Sequence, residues 1–299
     1  MNKKILTISV LLILGFTFSV YAGGIKVLHE KTFSVEKGEL LELFASTGNV
    51  KITTWENDEV YVKVFGNSRA EEKVEFSFDE TSRGVKIKAE KRGSNWFNWG
   101  SGIKLNFEIR VPSRFDTEIK TAGGDIFVAD LEGENELKTS GGDLTLFNLK
   151  GALEAKTSGG KIELEGHEGK AYLGTSGGDI DVKGQDGDIE AKTSGGDIEM
   201  NVKSGRVRGS TSGGDVRLVY SGENEGIALS TSGGDIRMRL PSNIKAEIDC
   251  TTSGGRVRNN LNTTKIYRDK KTSLEAELNG GGALIKARTS GGDVTLDSF

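Results

Sequence analysis

The stretch "TSGGDIDVKGQDGDIEAKTSGGDIEM" spans residues 175–200 and returns to its opening word, T-S-G-G-D-I, after eighteen residues. The word T-[SA]-G-G begins at Thr121, Thr139, Thr157, Thr175, Thr193, Thr211, Thr231, Thr252 and Thr289. The first five intervals are 18 residues, and the next three are 20, 21 and 37. A period held this closely marks stacked structural units. A glycine also falls twelve residues after each of the first five threonines, at Gly133, Gly151, Gly169, Gly187 and Gly205. Each unit therefore has two turn points with a short strand between them on either side.

Behind each G-G the apolar residues alternate with polar ones. Ile180 and Val182 flank Asp181, Ile198 and Met200 flank Glu199, and Val216 and Leu218 flank Arg217. Period-two alternation describes a strand with one buried face. The second strand usually pairs a large residue with a small one, as in Leu153/Ala155, Ala171/Leu173 and Ile189/Ala191. That keeps the volume of each layer constant, as close packing requires. A helix would need three- and four-residue spacing, and the glycines oppose it. An antiparallel hairpin array is the serious rival, but like residues recurring once per unit favour parallel stacking. The reading is all-β: a single-chain parallel β-solenoid of about 18-residue, two-strand rungs, each adding roughly 4.8 Å. Nine or ten rungs would make a rod roughly 45 Å long.

The word itself reads first as scaffold. Both glycines suit a corner with φ > 0. The threonine has inward parity, and its hydroxyl is placed to bond the turn backbone or the next threonine. The aspartate is placed to cap backbone N–H groups of the turn. The functional rival is a cation ladder, because Asp179, Asp197, Asp215 and Asp235 share a column with Asp125, Asp143 and Asp293. Carboxylates about 4.8 Å apart repel by roughly 1–3 kcal/mol, depending on the dielectric. Backbone N–H groups, neighbouring bases or calcium must offset this. Lys161 and Arg256 interrupt the column. The calcium-binding nonapeptide word is absent, so no cofactor is called for, and calcium on the Asp column stands as the rival reading.

The remaining charges read as solvated faces. Glu118/Lys120, Glu136/Lys138, Glu154/Lys156 and Glu190/Lys192 lie two apart on the outward side of the second strand. Glu163, Asp181 and Glu199 pass to Arg217, Arg237 and Arg258 along another column. Cys250 takes the inward place of Ala191, and a buried thiol is unreactive. His29 and His167 have no catalytic constellation around them.

Lys3 and Lys4 precede an apolar run from Ile5 to Val20, and Val20-Tyr21-Ala22 fits signal-peptide cleavage after Ala22. Removing that segment leaves 38 bases against 44 acids, a net of −6. This excludes nucleic acid as a natural partner. The expected organisation is a signal peptide at 1–22, a β-rich N-terminal cap with a first rung at 23–118, and repeats at 119–299. An irregular insertion falls near 257–282. The segment "STGNVKI" (46–52) is a worn copy of the word. Open solenoid ends expose strand edges, so a cap is needed. "KRGSNWFNWGSG" (91–102) sets Trp96, Phe97 and Trp99 among glycine and serine. These aromatics either bind sugar, membrane interface or protein, or fold back over the core.

Four segments carry a resemblance: "FSVEKGELLELFASTGNVKITTWENDEV", "LNFEIRVPSRFDTEIKTAGGDI", "RLPSNIKAEIDCTTSGG" and "NGGGALIKARTSGGDVTL". In this order they resemble the bacterial putative-adhesin family with β-strand repeats, a domain of unknown function. The resemblance implies an exported or envelope-associated β-solenoid and carries over no catalytic residues. The reading that follows is a non-enzymatic cell-envelope or surface scaffold, located in periplasm, envelope or outside the cell. Its partner would be an envelope, surface or carbohydrate component, with no membrane span left after signal cleavage. The alternatives are a carbohydrate-active β-helix enzyme and a calcium-stabilised rod.

Overall fold

The computed structural model describes residues 24–92 and 102–299. Twenty-seven strands and one short helix, Ser68–Lys73, occupy them. The strands form two sheets, of 13 and 14 strands. The first sheet takes the strand that follows each word, and the second takes the strand that leads into it. Neighbours pair in parallel one period apart: Ile162, Glu163 and Leu164 lie beside Ile180, Asp181 and Val182. In the second sheet Leu153, Glu154 and Ala155 lie beside Ala171, Tyr172 and Leu173. The molecule is a parallel β-solenoid, as the period predicts. The apolar columns of both sheets meet between them, and Ile162, Leu164, Ile180, Leu153 and Leu173 are at most 3% exposed.

The corner differs from the sequence expectation in its cause. Among the words only Gly124 takes a left-handed conformation, at φ +128°. What excludes side chains is the coil underneath. A Cβ on Gly178 would lie 2.1 Å from the Gly160 carbonyl oxygen, and one on Gly196 would lie 2.1 Å from that of Gly178. Close backbone approach is the reason for glycine here. The opposite corner does use positive φ, at Gly151 (+108°) and Gly169 (+132°).

The stack also departs from chain order at both ends. Ile285 of the strand Leu284–Thr289 lies between Ile227 and Ile248, and Val294 of Val294–Ser298 lies between Ile236 and Val257. In space the last words therefore run Thr231, Thr289, Thr252. The other end mirrors this. Strands Leu40–Ala45 and Asn49–Trp55 sit between the coil of 116–129 and the strands Gly84–Lys91 and Leu105–Pro112. The worn word thereby joins the column, with Ala45 beside Thr121. The chain's last coil is thus paired on both sides, and antiparallel strands close the ends. Val74–Thr81 pairs with Gly84–Lys91, and Ser273–Leu278 joins Ala246–Thr252 to Lys265–Lys270. The segment 257–282 thus adds strands to both sheets. Eleven two-strand levels result, rather than nine or ten, and the longer sheet runs roughly 60 Å edge to edge.

Candidate functional site

The aspartate column is a hydrogen-bond ladder. Oδ1 of Asp179, Asp197, Asp215 and Asp235 accepts the backbone N–H of Asp197, Asp215, Asp235 and Asp293 respectively, at 2.7–2.8 Å. Asn49, Asp125 and Asp143 do the same for Asp125, Asp143 and Lys161 at 2.7–2.9 Å. Guanidinium groups meet the second oxygens in the C-terminal half. Arg217 reaches Asp215 at 2.6 Å and Asp197 at 3.4 Å, and Arg237 reaches Asp235 at 2.7 Å. Arg258 reaches Asp293 at 2.6 Å. The Arg256 backbone N–H, then Arg258, holds the Asp293 carboxyl below the usual carboxylate range. Lys161 stands in the column without a carboxylate of its own and bonds Glu163 at 2.8 Å and Asp181 at 2.5 Å. Among the described residues no three His, Cys, Asp or Glu side chains gather to hold a metal ion.

The buried threonines serve two coils at once. Thr193 Oγ1 donates to the Gly178 carbonyl at 2.9 Å and accepts from the Gly196 N–H at 3.4 Å. The pattern repeats at Thr211 and Thr231. Inside the other corner His167 Nδ1 and Gln185 Oε1 are 2.9 Å apart, and Gln185 Nε2 donates to the Gly169 carbonyl at 2.8 Å. The His167 Nε2 atom has no partner within hydrogen-bonding geometry among the described residues. Burial lowers the pKa of this ring. Cys250 is fully buried, and burial raises its thiol to about 12. These groups are committed to the scaffold.

The outer face of the second sheet is different. Its Glu and Lys columns interlock, with Lys138 reaching Glu136 at 2.6 Å and Glu154 on the next level at 3.0 Å. Four levels carry both residues, Glu118/Lys120, Glu136/Lys138, Glu154/Lys156 and Glu190/Lys192, and between the last two Tyr172 and Gly174 stand instead. The half-buried tyrosine ring fills the missing lysine's place, so close that a Cβ on Gly174 would touch Tyr172 Cε1 at 3.4 Å. Lys156 and Lys192 flank the ring at 4.6 and 5.9 Å from its centroid. Beside it runs an open groove of about 1070 Å³, lined by eight acidic and five basic residues from Arg83 to Arg208. It crosses eight levels, roughly 35 Å of the stack.

Sequence reasoning placed its binding residues elsewhere, at Trp96, Phe97 and Trp99, and these lie outside the described residues, as does the segment 1–22. It passed over Tyr172. The signal was present: "AYLG" at 171–174 replaces "LEAK" at 153–156 one period earlier.

Columns of like residues on parallel coils, with a charged outer face, define a β-solenoid repeat protein. The chain belongs to the Toastrack DUF4097 family, whose model matches residues 39–297. No curated protein matches it. Among solved structures it is similar to a putative adhesin from Bacteroides fragilis, 14% identical, covering 91% of this chain and 97% of that one, with a TM-score of 0.46. It is also similar to a putative adhesin from Parabacteroides merdae, 11% identical, covering 92% and 97%, with a TM-score of 0.33. A third is a putative lipid binding protein from Parabacteroides distasonis, 10% identical, covering 92% and 97%, with a TM-score of 0.34.

Proposed function

We propose that this is an exported, non-enzymatic scaffold of the cell envelope or surface that holds an extended, uncharged glycan along its second sheet. The observation that carries the reading is Tyr172, the aromatic break within the Glu/Lys run of 118–192, set in the wall of the long groove. An aromatic ring offers an apolar face to a sugar ring. The carboxylates beside it, Glu154, Asp188 and Glu190, supply hydroxyl acceptors. Export is supported by the N-terminal charge and apolar run. No helix among the described residues is long and apolar enough to cross a membrane. Acids follow the period instead of clustering, which supports binding over catalysis.

Binding of soluble envelope polysaccharide, followed by calorimetry, tests this. Tyr172→Ala should weaken affinity about tenfold, near 1.4 kcal/mol, while Tyr172→Phe keeps it and neither changes the melting temperature. Unaltered affinity in the alanine variant would remove the groove reading. Release of sugar from the polysaccharide would overturn the non-enzymatic one.

A further inference from the structure

The two ends of the stack are complementary in direction and charge, and their steps run in opposite senses. Beyond the coil of 246–259 the second sheet adds two strands and the first sheet none. Beyond the level of Gly84–Lys91 and Leu105–Pro112 the first sheet adds two strands and the second only one. The first sheet is thus recessed by two strands at the C-terminal end and projects by one strand at the N-terminal end. The second sheet finishes in Lys265–Lys270 at one end and Val74–Thr81 at the other. Each has one edge unpaired among the described residues. Two antiparallel pairings return Lys265–Lys270 to the solenoid direction, and one pairing turns Val74–Thr81 against it. Placed end to end, the two strands meet antiparallel.

Their charges are opposite. Lys265–Lys270 is exposed at every residue, with Ile266 53% and Tyr267 58% exposed. Arg268 pairs with Glu275 at 2.9 Å, whereas Lys265 and Lys270 make no ion pair among the described residues. On the other strand Glu75, Asp79 and Glu80 are exposed and equally without ion pairs there. Phe76 and Phe78 on its inner face are partly buried.

We propose that the protein assembles head to tail with further copies of itself, Lys265–Lys270 of one copy pairing with Val74–Thr81 of the next. The irregularity between Ile266 and Arg268 fixes which residues share a face. Lys265, Arg268 and Lys270 lie on the outer side, opposite Glu277, Glu275 and Ser273, and Ile266 lies inward, opposite Ala276. On the partner strand Glu75, Ser77 and Asp79 lie outward and Phe76 and Phe78 inward, opposite Ala89 and Ile87. One register sets Lys265 against Asp79, Ile266 against Phe78, Arg268 against Ser77 and Lys270 against Glu75, matching charge on the outer side, with Asp269 falling opposite Phe76 on the inner one. Charged edges commonly serve to prevent sheet-to-sheet pairing. Edges of one sign at both ends would do so, but opposite signs block head-to-head and tail-to-tail contacts while favouring head-to-tail ones. Such a contact is heterologous and does not close, so it builds a rod.

Light-scattering mass across a concentration series, at about 50 mM and about 500 mM salt, tests this on the purified protein. The mass should rise above one chain with concentration and fall back at high salt. Lys265→Glu with Lys270→Glu should return it to one chain, and so should Glu75→Lys with Asp79→Lys. An equimolar mixture of the two variants should regain the wild-type mass, which excludes misfolding as the cause. A single-chain mass up to about 1 mM protein, or growth that neither reversal alters, would overturn the proposal.

Discussion

Gly195 and Gly196 are neighbours in one word, yet the coil beneath separates their roles. A Cβ at Gly196 would press to 2.1 Å on the Gly178 backbone, and one at Gly195 would reach only 3.4 Å from the Gly177 oxygen. Gly196→Ala should cost about 1–3 kcal/mol, as overpacking does, and Gly195→Ala well under half of that. Denaturant midpoints of the two variants check the contrast. His167 adds a pH dependence. Burial keeps its folded pKa below the ordinary 6.5, so the unfolded chain binds the proton more tightly. Its contribution is intact above that ordinary value and is lost as the pH falls below it. Gln185 occupies the next place in the column, so His167→Gln should leave the fold standing and flatten the fall in melting temperature between pH 7 and pH 5. An unchanged slope would show that another group controls it.

At the scale of elements, columns decide stability. The Asp ladder works through an acceptor oxygen on each level that carries Asp or Asn, which charge alone does not require. Asp215→Asn keeps an oxygen for the Asp235 N–H and should be mild. Asp215→Ala leaves that N–H without its 2.8 Å partner and should cost about 1–2 kcal/mol. Because N–H and guanidinium groups already meet these oxygens, calcium or a chelator should leave the melting temperature unchanged. A rise with calcium would restore the cation ladder. The ladder's membership was legible from parity and period, including Lys161 and Arg256. Its bonding was not, because the donor to each oxygen comes from the adjoining coil. Tyr172 was legible as a break in the pattern, but its contact with Gly174 and its place on the groove needed the register of two sheets.

For the whole molecule, nearest-neighbour stacking predicts which losses are tolerated. Deleting 139–156 removes one full period and brings matching columns together. It should shorten the rod by one level and leave a cooperative melt. Deleting 284–299 removes a piece of similar length from the chain's end but from the interior of the stack. The coil of 246–259 then loses its parallel neighbours in both sheets, and this variant should lose several kcal/mol or fail to fold. Circular dichroism melts of the two deletions separate these outcomes. Equal tolerance would contradict the interleaved order of the last coils.

Sequence alone determined the parallel solenoid, its two sheets, its inward columns and the worn first word at 46–52. Parity and period are local properties, and each coil repeats the same local solution. Only the tertiary structure decided the order of the end coils, the cause of the G-G requirement and the groove beside Tyr172. Each of these depends on which coil lies against which. Like words are interchangeable in sequence, so the pattern by itself does not rank Thr289 before Thr252. The hairpin strands of 265–278 and the grip on both faces of the last coil make that choice.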